Sequence, residues 1–135
     1  IADRFSYSEI ETPKEIASFF ASKEFLSLIS VITGKRLMRC KQSAKKFSQG
    51  DYTLLHDSEQ LKPGFEFFFD INPVWNPAWG GSLIYRDAHE ELFRLLPTAN
   101  ALTIINRKKG MERFMDYVNI KAGDNQQIKI TGTFR

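Results

Sequence analysis

Hydrophobic spacing changes character once along the chain. Over residues 11–36, "ETPKEIASFFASKEFLSLISVITGKR" repeats its apolar residues at helical intervals and predicts two short helices in succession. Thr12 is placed to cap the first, Pro13 suits its first helical position, and Glu15 stands three residues after the cap, as a capping box requires. Ile16, Phe19 and Phe20 then form one apolar stripe. Ser22 is placed to cap the second helix, whose Phe25, Leu26, Leu28, Ile29 and Ile32 face a core, and Gly34 is suited to end it.

Beyond Gly34 the period becomes alternating. It predicts strands over 37–47, 51–56, 65–71, 82–86, 101–106, 114–120 and 127–134. Turn sequences separate them: "SQGD", "LKPG", "NPVWNPAWGG", "LPTAN", "RKKG" and "KAGDN". Many short strands behind a helical N-terminal part, about 11–34, predict a mainly β, α+β domain. The β part, about 36–135, forms a sandwich or barrel with the helices packed outside. A length of 135 residues suits a single domain spanning 1–135.

Composition narrows the class. Hydrophobic residues at 42% and aromatics at 13% exclude a disordered segment, and no run reaches the length of a membrane span, so no membrane partner is expected. The single cysteine, Cys40, excludes an internal disulfide framework and a Cys-rich zinc site. It alternates with Met38 and reads as a small core residue. With no signal-peptide pattern after Ile1, an intracellular location is expected, for a trimmed chain or part of a larger protein. The net charge of +3 argues for no partner by itself. Lys35, Arg36, Arg39, Lys41, Lys45 and Lys46 nevertheless crowd one stretch, and Arg107, Lys108 and Lys109 another. Meeting on one face they would suit RNA or another polyanion; apart, they are solvated strand edges protected by charge.

Three stretches carry a resemblance: "FSQGDYTLLHDS", "INPVWNPAWGGSLIY" and "LPTANALTIIN". In this order and spacing the chain from about Phe47 to Phe134 resembles the prolyl-hydroxylase-like branch of the iron(II) and 2-oxoglutarate-dependent oxygenases. The resemblance implies a double-stranded β-helix, a jelly-roll or cupin-like fold, with the N-terminal helices outside. It also implies two His and one carboxylate on iron, leaving open positions for 2-oxoglutarate and oxygen.

Position by position, few of those residues match. His56 stands at the first metal position. The carboxylate position two residues on is Ser58, and Asp57 points to the opposite side of an extended segment. The second metal His has no counterpart; Asp116 is the alignment preferred over Glu112 and Ile120. The basic clamp for 2-oxoglutarate falls on Gln127, with Lys129 on the same face of that strand. Phe47 stands where the family often has a Tyr contacting 2-oxoglutarate, and Tyr85, in the matched return strand "GGSLIY", is a further cofactor-contact candidate. His89, between Asp87 and the pair Glu90 and Glu91, belongs either to a divalent-ion cluster or to a solvated loop or helix start. Trp75 and Trp79 flank a Pro-rich loop, and either line a peptide groove or pin the loop.

The expectation is therefore an oxygenase-like domain with a degenerate metal site, non-catalytic and serving protein or peptide binding. The alternatives are an active protein hydroxylase using iron(II) and 2-oxoglutarate through His56, Asp116 and Lys129, and a polyanion or RNA-binding module.

Overall fold

The computed structural model describes residues 5–53, 63–71 and 75–134. Two helices, α1 (Lys14–Phe20) and α2 (Lys23–Thr33), precede the long strands. At α2 the expected caps form: Ser22 Oγ accepts from the Phe25 amide at 3.2 Å, and Gly34 ends the helix in the left-handed region at φ 69°. At α1 the capping box is absent. Pro13 occupies the cap position and makes no side-chain hydrogen bond, while Thr12 Oγ1 donates to Gln42 Oε1 at 2.8 Å. One residue ahead of the cap, the Thr12 hydroxyl is not at the position from which a side chain reaches the first-turn amides, and it bonds the sheet instead.

Among the described residues, ten strands follow the order β1 (Phe5–Ser6), β2 (Ser8–Ile10), β3 (Cys40–Phe47), β4 (Tyr52–Thr53), β5 (Gly64–Asp70), β6 (Leu83–Arg86), β7 (Glu91–Leu95), β8 (Leu102–Arg107), β9 (Glu112–Met115) and β10 (Gln127–Phe134). The larger sheet runs β2-β3-β10-β5-β8 and the smaller β7-β6-β9, every pairing antiparallel. β4 pairs with β1 and lies beside β9, where the Met115 amide donates to Thr53 Oγ1 at 2.7 Å. Phe68 and Ile105 of the larger sheet pack on Leu83 and Tyr85 of the smaller. This is the double-stranded β-helix that the resemblance implies.

Alternation along the strands sorts residues between two cores. Ala44, Phe67, Ile130 and Phe134 face the helices and pack with Phe20, Phe25 and Ile29, the Phe20 and Phe67 rings stacking at 4.8 Å. Their strand neighbours Glu66, Phe68 and Lys129 face the barrel interior. Gly132 makes this possible locally, because a Cβ there would lie 2.4 Å from both Lys41 O and Phe67 Cε1.

Three differences from the sequence pattern stand out. Glu91–Leu95, where the sequence pattern predicts no strand, is the edge strand β7; it is exposed along most of its length and so carries no alternating burial signal. The strand expected over 114–120 ends at Met115, because the Asn119 side chain accepts from the Lys121 amide and opens a 3₁₀ turn, Ile120–Ala122. Of the strand expected over 51–56, Tyr52–Thr53 is observed, and the rest lies outside the described residues.

Candidate functional site in the barrel interior

β10 contributes the two candidates for a cofactor clamp, and both are engaged within the protein. Gln127 is buried, and its Nε2 donates to Gly81 O at 2.9 Å. Gly81 has φ 70°, and a Cβ there would stand 2.3 Å from Gln127 Nε2, so the loop closes on this side chain only because the residue is glycine. Lys129 Nζ lies 2.6 Å from Asp70 Oδ1, a buried pair whose other oxygen, Asp70 Oδ2, accepts from the Thr98 amide at 3.2 Å. Asp116 is engaged as well. Its Oδ1 accepts from the Ser82 amide at 2.6 Å, and its Oδ2 lies 3.7 Å from Arg94 Nη1.

His56, Asp57 and Ser58 lie outside the described residues. Glu112 and Ile120, the other alignments to the second metal position, are both exposed. Iron(II) needs several donors on one side of the metal with open positions opposite. Among the described residues no group of three His, Cys, Asp or Glu is arranged to hold a metal, and Asp116 offers an oxygen already held by an amide. The described residues therefore do not fit the group. His89 sits in the β6–β7 turn, where Asp87 Oδ1 accepts from the His89 and Glu90 amides at 2.8 and 3.0 Å. Those two backbone hydrogen bonds lower the Asp87 pKa and give the carboxylate a turn-building role.

Around Gly81 the interior is apolar. Phe47, Trp75, Met115, Val118 and Ala122 form a buried cluster against which Tyr7 and Trp79 pack. Trp75 is buried, donates its Nε1 hydrogen to Gly80 O at 2.9 Å and meets Trp79 edge to face at 5.1 Å. Trp75 thus pins the loop, and the solvent-facing part of the pair is Trp79. The Asn119 amide donates to Trp79 O at 2.9 Å, and Asn119 Nδ2 to Ala78 O at 2.8 Å, tying this loop to the segment after β9. Tyr117 and Ile120 of that segment are exposed, and Tyr117 lies 6.4 Å from the Tyr52 ring.

Tyr85 belongs to a different constellation. Its hydroxyl donates to Glu66 Oε1. Arg113 Nε lies 3.3 Å from the same oxygen, and Arg107 Nη1 lies 3.4 Å from Glu66 Oε2. Burial first, then the Glu66 charge and hydrogen bond, push the Tyr85 pKa far above its ordinary value. Beside this network a pocket of about 420 Å³ opens between β3, β10 and β9, lined by residues that include Lys41, Ser43, Lys45, Arg113, Thr131 and Thr133. Lys45 Nζ sits 5.0 Å over the Tyr7 ring. Its pKa is lowered by burial and next by the Arg113 charge, with Glu9 and Glu66 pulling the other way.

Sequence reasoning missed Glu66, Asp70, Arg107 and Arg113 as interior residues. A signal for the acids exists in "FEFFFD", where strand alternation sets Glu66, Phe68 and Asp70 on one face and Phe65, Phe67 and Phe69 on the other. The two basic runs do not converge. β3 and β8 are separated by β10 and β5, and Arg107 turns inward to Glu66. Burial pushes the Cys40 thiol up to about 11, which leaves it a poor nucleophile.

A family model described as oxoglutarate and iron-dependent oxygenase degradation C-term matches residues 6–135. The prolyl 3-hydroxylase OGFOD1 of Mus musculus is 29% identical over 86 residues, covering 62% of this chain and 16% of that protein, so the chain spans a small part of that relative's length. Among solved structures, a Pseudomonas putida prolyl-4-hydroxylase superposes with a TM-score of 0.68 at 16% identity, covering 99% of this chain and 74% of that one. An oxidoreductase of the 2OG-Fe(II) oxygenase family from Burkholderia pseudomallei gives 0.66 at 10% identity, covering 93% and 59%. A Trichoplax adhaerens prolyl hydroxylase in complex with a hypoxia inducible factor oxygen degradation domain peptide fragment gives 0.58 at 14% identity, covering 82% and 55%. At these identities the likeness is one of fold.

Proposed function

The chain belongs to the oxoglutarate and iron-dependent oxygenase degradation C-terminal family, and from that premise we propose that its prolyl-hydroxylase-like barrel is non-catalytic and binds protein or peptide segments. One observation carries the reading: Asp116, Gln127 and Lys129 are each consumed by a contact inside the protein, with Ser82, Gly81 and Asp70. A carboxylate held by an amide, an amide where a cation would be needed, and a lysine already neutralised by an aspartate do not offer iron and 2-oxoglutarate the charges they require.

Peptide binding draws its support from the surface over the apolar cluster. Trp79, Tyr117 and Ile120 present aromatic and aliphatic area on two loops locked together by Asn119. Rigid aromatic area of this kind suits extended, proline-containing segments. The Trichoplax relative, of the same fold, is the one in complex with a peptide fragment.

The catalytic half of the reading is tested by anaerobic titration of manganese(II), with and without 2-oxoglutarate, into wild-type protein and His56→Ala. No saturable binding is expected; one-to-one binding lost in the variant would overturn it. The binding half is tested by screening proline-containing peptides by fluorescence polarisation. A ligand lost in a folded Trp79→Ala, Tyr117→Ala variant is expected, and full retention would remove that surface from consideration.

A further inference from the structure

The pocket between β3, β10 and β9 holds more positive charge than the fold uses. Lys41, Lys45 and Arg113 line it together with one carboxylate, Glu66. That carboxylate is already shared: Oε1 takes the Tyr85 hydroxyl and Arg113 Nε, and Oε2 takes Arg107 from behind. Lys41 and Lys45 make no ion pair among the described residues. Glu9 is the cross-strand partner of Lys45 across β2 and β3, yet it forms no ion pair with it. Between the lysines and the arginine, strand alternation points the hydroxyls of Ser43, Thr131 and Thr133 into the same space, where Ser43 Oγ and Thr131 Oγ1 share one hydrogen bond at 3.4 Å and the other hydroxyl hydrogen of that pair is left to donate.

We propose that this pocket is a binding site for a phosphate monoester group. The donor set favours phosphate over carboxylate on two counts. Carboxylate recognition works best through a free, planar guanidinium fork, and the Arg113 fork is partly spent on Glu66. Lysines act as point charges that need no planar partner, and hydroxyl donors spread around a wide pocket match a tetrahedral group with several acceptor oxygens. A monoester carrying about −1.5 to −2 charge at neutral pH offsets the surplus left by Lys41 and Lys45. Burial and then the Arg113 charge oppose the protonation of Lys45, with Glu9 and Glu66 acting the other way. The volume of about 420 Å³ accommodates more than the phosphoryl group alone, so either a free small phosphate or a phosphorylated side chain of a protein fits. None of the residues used here belongs to the Trp79 and Tyr117 surface, so this site and the proposed peptide surface stand or fall separately.

The test titrates inorganic phosphate, and then a phosphoserine peptide beside its unphosphorylated form, into isotopically labelled protein at fixed salt while following backbone amide resonances. Saturable one-to-one shifts at Ser43 and Thr131 are expected with phosphate. Lys45→Met weakens them roughly tenfold or more, as the loss of a charge-assisted contact predicts. Lys41→Met repeats the test at the exposed rim, where folding is not at risk, and Lys108→Met leaves binding unchanged. A phosphopeptide binding more tightly than phosphate identifies a protein source, and equal binding a small-molecule source. The site is overturned if phosphate and phosphopeptide fail to saturate, if Lys45→Met and Lys41→Met bind as well as wild type, or if the unphosphorylated acidic peptide binds equally. RNA lacking a terminal phosphate that shifts the same resonances with equal affinity would make the surface a general polyanion one, and would overturn it too.

Discussion

The two ends of the barrel interior share strands β5, β9 and β10 and treat charge in different ways. Toward the start of β10, Lys129 meets Asp70 one to one, Gln127 meets Gly81, and Trp75, Met115 and Val118 close over them. Toward the end of β10, Glu66 collects Tyr85, Arg107 and Arg113, while Lys41, opposite Thr133, stands without a carboxylate of its own among the described residues, as does Lys45, opposite Lys129. The first end pairs its lysine with its aspartate, while Gln127 Oε1 is buried there without a partner among the described residues. The second satisfies its acid fully and its cations incompletely, the condition under which an anion contributes to stability.

Glu66→Leu should break the comparison most severely. It strands two largely buried arginines and the Tyr85 hydroxyl, at a cost of about 4 kcal/mol by denaturant unfolding. Lys129→Met at the other end should cost less, about 3 kcal/mol, because Asp70 keeps the Thr98 amide. A larger loss at Lys129 than at Glu66 would reverse the ranking of the two ends. Gly80→Ala should cost about 2 kcal/mol. Its φ is 77°, and a Cβ would stand 2.1 Å from the Tyr117 carbonyl oxygen, so the variant should loosen the sealed end and spare the phosphate response.

The smallest expected effect is on pH dependence. Tyr85 holds its proton in the fold well beyond its ordinary value of 10.0, whereas the unfolded chain releases its own near that value. Stability therefore falls as pH rises past 10, and Tyr85→Phe should flatten that slope. Lys45, with a lowered pKa, pulls weakly the other way: the unfolded chain binds its proton up to 10.5, so stability rises between the lowered value and 10.5. Lys45→Met should consequently steepen the alkaline loss, as seen by circular dichroism melts between pH 8 and 11.

Local rules carried much of the fold. β10 matches its expected range of 127–134, β5, β6 and β8 lie within one residue of theirs at each end, and the Ser22 and Gly34 caps of α2 form as expected. β2 and β7 escaped because short or exposed edge strands bury too little to leave a period. The site was less legible, because its decisive contacts join residues far apart in sequence. Asp116 and Ser82 are 34 positions apart, Lys129 and Asp70 are 59, and Gln127 and Gly81 are 46. Alignment to a family motif identifies which residue types stand at catalytic positions. It does not identify what each has been tied to instead, and Tyr85, a candidate for cofactor contact, is the hydrogen-bond donor to an interior glutamate that no motif marks.

The edge-to-face pair of Trp75 and Trp79 has an optical consequence. The chain holds two tryptophans, and both lie at the sealed end, 5.1 Å apart. Tryptophan emission is therefore a spatially selective reporter, bright for one half of the barrel and blind to the other. Unfolding traces from emission and from far-ultraviolet dichroism will superimpose only if the whole barrel melts as one unit. A separation between them would show the halves coming apart in sequence.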